Sequence, residues 1–246
     1  MAITFHMIKK VKAKRPVLIE GLPGLGLVGT IAASYLVEKL DMEQIGYVTS
    51  DQFPPLIAIH NFIPMYPIRI YYSKAHNLVV LQSEFVIPMN MVNEFTAELL
   101  KFCDKMKVSK IISLGSINIK GTQDTVYGIT TDQKLAKKLL SMNVELIKEG
   151  ATTGVTAVLL AESNFNNIPT TSLLSEAHIE YADPRASAMV LTILKELLGI
   201  KIKLEELEKE AKMIEEKMKD VITKGSKVQE NYKQMEDTKG LSPMYG

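Results

Sequence analysis

Short apolar runs alternate with longer amphipathic stretches through the first two hundred residues. Val17–Glu20, Gln44–Val48, Pro67–Tyr72, Leu78–Gln82, Lys110–Leu114, Val144–Ile147 and Thr170–Leu174 are brief and rich in branched or aromatic side chains, which predicts strands. Between them, Val28–Leu40, Met89–Met106, Asp132–Leu140, Val155–Ala161 and Pro184–Leu198 repeat apolar residues at helical spacing. Pro184 suits a first helical turn, and Asp183 suits its cap. Strand–helix alternation of this kind predicts an α/β fold with a largely parallel, buried sheet. The strands on either side of Phe53-Pro54-Pro55 have no helix between them, so part of that sheet is expected to be antiparallel. The expectation is a mixed sheet flanked by helices.

The pattern changes at about residue 200. Residues 1–200 carry 19 basic and 18 acidic side chains, whereas the last 46 residues carry 10 of each. Ile193, Leu197, Ile200, Leu204, Leu207, Ala211, Ile214, Met218 and Val221 step by four and three in alternation. That is the repeat of a coiled-coil seam, flanked by Glu205, Glu206, Lys209, Lys212 and Glu216. Leucine at two of the four a positions, Leu197 and Leu204, and isoleucine at most d positions favour an assembly larger than a dimer. Three regions are therefore expected: an α/β body over 1–200, a charged heptad helix over 201–224, and a flexible tail over 225–246. The seam would hold a homo-oligomer, in the first instance a tetramer, through Ile200, Leu204, Leu207 and Ile214. The same periodicity also describes one amphipathic helix packed on its own domain, and periodicity alone leaves both readings open.

Charge and composition narrow the function. A formal net charge of +1 argues against a nucleic-acid partner, which needs a clustered positive excess. The one local excess, Lys9 to Arg15, reads as a solvated edge beside a strand. The single cysteine, Cys103, excludes an intrachain disulfide framework and sits at core spacing among Phe95, Leu99 and Met106. No secretory signal is visible, and the longest strongly apolar run, Val155–Ala161, is too short to span a bilayer. A cytoplasmic protein with no membrane partner is the expectation.

The sharpest chemical signal is Glu20-Gly-Leu-Pro-Gly-Leu-Gly-Leu-Val-Gly29, set between a strand and a helix. Gly24, Gly26 and Gly29 satisfy G-x-G-x-x-G, and Asp51 follows 22 residues after the last glycine. A nucleotide- or phosphate-binding enzyme would use these four residues. Glycines at such a turn equally serve close backbone packing, and Leu22, Leu25 and Leu27 make this one apolar. No Gly-Lys-Ser/Thr triplet follows, no G-x-S-x-G elbow occurs, and His6, His60, His76 and His178 lack the spacing of a metal pair. Gly121–Asp124 and Gly150–Gly154 read as turns. Glu84 and Asp124 are the best candidate acids, with nothing in the sequence to perturb them. No catalytic residue, metal or cofactor is assigned.

Val17 to Gly29, followed by Phe53-Pro54-Pro55 and Ser83-Glu84-Phe85, resembles the proteasome assembly chaperone 2 family. The likeness covers most of residues 15–200. It implies an α/β sandwich similar to purine nucleoside phosphorylase without that enzyme's catalytic set. It also implies an ATP-independent chaperone or activator of the 20S proteasome. Members of this kind dock a hydrophobic–tyrosine–any residue motif into pockets of the proteasome α-ring. Met244, Tyr245 and Gly246 match that motif.

Overall fold

The computed structural model describes residues 3–60, 62–118, 125–177 and 182–207. Among them are eleven strands: β1 (Thr4–Met7), β2 (Val17–Gly21), β3 (Glu43–Thr49), β4 (Ala58–His60), β5 (Ile63–Met65), β6 (Ile68–Ser73), β7 (Leu78–Ser83), β8 (Lys110–Ile117), β9 (Val126–Thr130), β10 (Glu145–Leu146) and β11 (Thr170–Glu176). The five α-helices are α1 (Val28–Lys39), α2 (Val92–Met106), α3 (Gln133–Ser141), α4 (Gly154–Asn166) and α5 (Pro184–Leu198).

Nine strands form one mixed sheet in the order β1-β3-β6-β7-β2-β8-β11-β9-β10. β7, β2, β8 and β11 are mutually parallel at its centre, while β1, β3 and β6 make an antiparallel wing. The parallel strands read as continuous apolar runs because both sheet faces are covered. Successive side chains go to opposite faces: Leu18, Val79 and Ile111 pack with α2 and α4, and Ile19, Val80 and Ile112 with α1, α3 and α5. The result is a three-layer sandwich. The Asp183 carboxylate accepts from Ala186 N at 2.8 Å and caps α5, with Pro184 in the first turn as the sequence predicts.

The foreseen strands and helices all form, and four further strands join them. β1 and β9 are short segments that lengthen the sheet on either side. β4 and β5 pair only with each other, as a hairpin separate from the main sheet.

The C-terminal seam is corrected at its start. α5 stops at Leu198, where Gly199 takes φ +68, so no single helix carries the heptads from Ile193 onward. Ile200 is 6% exposed, Leu207 is fully buried, and Leu204 packs beside them, all against the core under α1 and α5. Tyr35 Oη donates to the Lys203 carbonyl at 2.5 Å, and Lys39 pairs with Glu206 at 2.7 Å. The body therefore continues past residue 200 to at least Leu207. The heptad face there is buried within its own chain, though not as the single amphipathic helix that the periodicity also allowed, because that helix stops at Leu198. Ile214, the rest of the 201–224 segment and the 225–246 tail lie outside the described residues.

Candidate functional site

The carboxyl ends of β7, β2, β8 and β11 emerge along one edge of the sheet, where open α/β sheets place ligands and partners. The loop after β2 crosses that edge as the glycine-rich turn, with a short 3-10 segment at Leu25–Leu27 leading into α1. Its glycines have separate causes. A methyl group on Gly29 would stand 2.1 Å from the Leu114 carbonyl oxygen, and one on Gly21 would stand 2.3 Å from Ala33 Cβ. Both glycines let α1 lie close against β2 and β8. Gly26 takes φ +61, a left-handed conformation that glycine adopts without strain. Gly24 is extended, and its nearest obstacle to a methyl is Ser116 Oγ at 3.8 Å.

The turn is tied to its own chain on two sides. Ser116 Oγ donates to the Leu25 carbonyl at 2.6 Å, and Asp183 N donates to the Gly26 carbonyl at 2.8 Å. Asp51 is exposed after β3, and β3 stands three places from β2 in the sheet. At the usual strand spacing that is about 14 Å. In a dinucleotide fold the acidic residue ends the strand next to the glycine turn. The structure gathers Gly24, Gly26 and Gly29, but it leaves Asp51 out of reach of the same ribose.

Two buried polar clusters lie at this edge. Glu20, at the end of β2, is fully buried with Ser113 and Thr156, and Thr156 Oγ1 reaches its carboxyl at 3.2 Å. Burial raises the Glu20 pKa, and hydrogen bonds from Ser113, Thr156 and the Leu22 backbone oppose the rise. Thr156 belongs to the first turn of α4, so the cluster fastens that helix to the sheet. Glu84, one of the two candidate acids of the sequence, is buried against the Arg69 guanidinium, with His60 Nε2 at 2.7 Å. Its near oxygen is committed to structural contacts. Asp124 and His178 lie outside the described residues.

His6 meets Thr49 Oγ1, and His76 meets Ser73 Oγ. Among the described residues no three His, Cys, Asp or Glu side chains gather as a metal site. Cys103 is buried and its thiol pKa is pushed up to about 12, which removes the thiolate that nucleophilic chemistry needs.

The feature that sequence reasoning missed is the β4–β5 hairpin, which leads directly into β6 at the same edge. Ile59 is 66% exposed and Phe62 99% exposed. From Phe53 to Ile68 there is not one Asp, Glu, Lys or Arg. That uncharged stretch was the available signal, and its Pro and Gly-free short runs are too brief to display a period. Of the other predicted residues, Ile200, Leu204 and Leu207 pack inside the body, whereas Ile214, Met244, Tyr245 and Gly246 lie outside the described residues. Among the described residues no helix is long and apolar enough to cross a membrane.

Comparison with known proteins places this arrangement. A model of the PAC2 family matches residues 18–222. An uncharacterized protein of Methanocaldococcus jannaschii is 30% identical over 236 residues, 96% of this chain and 95% of the relative. Among solved structures, Pyrococcus furiosus PbaA, an archaeal homolog of proteasome-assembly chaperone, superposes with a TM-score of 0.79 at 33% identity. That match covers 96% of this chain and 99% of PbaA. Pyrococcus furiosus PbaB, an archaeal proteasome activator, superposes with a TM-score of 0.75 at 25% identity, over 89% of this chain and 98% of PbaB.

Proposed function

Because the chain belongs to the PAC2 family, we propose that it is an ATP-independent assembly chaperone or activator of the 20S proteasome. The observation that carries the reading is a likeness running along nearly the whole chain to both PbaA, an archaeal homolog of proteasome-assembly chaperone, and PbaB, an archaeal proteasome activator. The α/β body is a scaffold without catalysis. Its glycine turn is tied to Ser116 and Asp183, and Asp51 is remote from it, which argues against the dinucleotide reading of Gly24, Gly26 and Gly29.

Met244, Tyr245 and Gly246 are the proposed anchor in the α-ring pockets. Burying one tyrosine contributes roughly 2–3 kcal/mol, and a carboxylate–lysine pair about 1.5–3 more. Ordering the tail offsets part of this, leaving an affinity on the order of millimolar for a single copy. A homo-oligomer makes the later contacts intramolecular and raises avidity by about 10²–10⁴. The oligomer is proposed as a tetramer. Of its seam, Ile200, Leu204 and Leu207 pack in the body, and Ile214 lies outside the described residues.

Peptide hydrolysis by 20S proteasome, with and without the protein, tests the anchor. Tyr245→Ala, or one residue added after Gly246, is expected to abolish stimulation and to leave mass and melting temperature unchanged. Full stimulation by both variants would show that the terminal match is coincidental. If the parent chain neither stimulates nor co-purifies with 20S proteasome, the whole reading fails.

A further inference from the structure

The fold gathers two basic segments that lie far apart in sequence. Residues 9–15 hold five basic side chains and no acidic one, and residues 101–110 hold four basic and one acidic. Elsewhere the chain carries 20 basic and 27 acidic side chains, so both segments are basic against an acidic remainder. They meet at the edge where β2, β8 and β11 begin, opposite the glycine-rich turn. Ser109 N donates to the Pro16 carbonyl at 2.8 Å, and Ile111 N to the Pro169 carbonyl at 2.9 Å. The β1–β2, α2–β8 and α4–β11 connections are thereby set side by side. Asn77 Nδ2 donates to the Lys14 carbonyl at 2.8 Å and holds the first of them in place.

A cavity of about 830 Å³ opens among these connections. Arg15, Lys101, Lys105 and Lys107 line it, and Leu100, Val108 and Ile168 give it apolar surface. Arg15, Lys105 and Lys107 are exposed, and among the described residues their side chains have neither a hydrogen bond nor an ion pair. Arg15 takes φ +50 and Lys107 φ +54, a left-handed backbone that residues with side chains seldom adopt. Glycine is the usual residue for that conformation just past a helix, where Lys107 stands. Lys105 suits the end of α2, where the helix dipole favours a cation, but Arg15 belongs to no helix.

We propose that this cavity and its basic rim dock an acidic segment of a partner protein, one in which carboxylates alternate with apolar side chains. Charge complementarity selects the sign of the partner. The surface of Leu100, Val108 and Ile168 takes an apolar side chain between the carboxylates. Lys12 and Lys14 are exposed just before Arg15 and lie outside the cavity lining, so the charge extends past the cavity. An extended segment matches that surface better than a small anion does. Asp104 and Glu162 stand among the cations of the lining. They would repel a continuous run of phosphates, whereas the backbone N–H groups of a peptide can donate to them.

The inference goes beyond the proteasome reading and is independent of it, because its test uses a synthetic probe and no proteasome. Fluorescence anisotropy of the full-length chain with a labelled peptide of repeated Glu-Glu-Leu measures docking directly. Binding is expected, and it should weaken severalfold as added salt screens the charges. A repeat of Glu-Glu-Ser should bind about tenfold more weakly for want of the apolar side chain. A repeat of Lys-Lys-Leu should not bind. Arg15→Gly combined with Lys107→Gly removes two cations at positions whose backbone glycine takes without strain. The melting temperature should therefore hold while affinity for the acidic repeat falls about tenfold or more. Ala97→Glu, at an exposed α2 position in the cavity lining, should weaken the same peptide with an unchanged circular dichroism spectrum. A chain that does not bind the acidic repeat, or variants that bind it as the parent does, would overturn the proposal. Equal affinity for the Glu-Glu-Ser repeat would do the same. Tighter binding of single-stranded oligothymidylate, lost in the same variants, would assign the face to nucleic acid instead.

Discussion

Glu84 and Arg69 show how burial changes the meaning of a charged side chain. In sequence each is an ordinary titratable group; in the structure each is almost inaccessible and is the other's counter-charge. Removing one partner from a buried pair leaves the other without compensation, at a cost of about 3–5 kcal/mol. Glu84→Leu and Arg69→Met are each expected to lose that much in urea unfolding. Arg69→Met combined with Glu84→Leu should lose less than either change alone, which a double-mutant cycle reads directly. Glu20 makes a different prediction. Its pKa is raised above the ordinary 4.5, so the folded chain holds this proton more tightly than the unfolded chain does. The group's contribution to stability is therefore complete at pH values below 4.5 and is lost as the pH rises toward the folded-state value. Glu20→Gln keeps a neutral hydrogen-bonding group at the site. The melting temperature of Glu20→Gln minus that of the parent should increase as the pH is raised from about 4 to neutrality.

The glycine-rich turn separates two explanations that look alike in one dimension. As a phosphate cradle, the turn would need Gly24 and Gly26 most. As a packing device it needs Gly29, because α1 crosses β8 at a distance that admits no side chain. Gly29→Ala would drive a methyl into the Leu114 carbonyl and should destabilise the fold by about 3 kcal/mol or more. Gly24→Ala meets only ordinary contact with Ser116 and should stay within about 1 kcal/mol of the parent. Chemical denaturation of the two variants distinguishes these outcomes. Equal and large losses would mean that Gly24 has a constraint the backbone does not reveal.

Assembly is what would convert a weak terminal anchor into a functional one. The body reaches Leu207, so its last described residue is tied to α1 and α5 and the remaining 39 residues start from a fixed point. Each copy in an assembly presents one such starting point, so lowering the number of copies per particle keeps every tail intact and should raise the half-maximal concentration for stimulating 20S proteasome by about tenfold or more. Titration of stimulated peptide hydrolysis against particle mass from light scattering checks this. A curve independent of mass would mean that single tails suffice.

The local pattern by itself determined the elements and their alternation. Val17–Glu20, Lys110–Leu114 and Thr170–Leu174 are strands because branched apolar runs bounded by turns have few other stable states. Asp183-Pro184 starts a helix because the cap and the fixed φ act within a single turn. The order of strands, and with it the edge where the turns converge, needed the tertiary structure. So did the distance that takes Asp51 away from Gly24, Gly26 and Gly29. Heptad spacing in Ile193 to Leu207 announces an apolar face, yet periodicity carries no information about what covers it. The core beneath α1 and α5 does so for Ile200 and Leu207. Among the described residues Ile59 and Phe62 are exposed, which the three-dimensional arrangement shows and their sequence pattern does not.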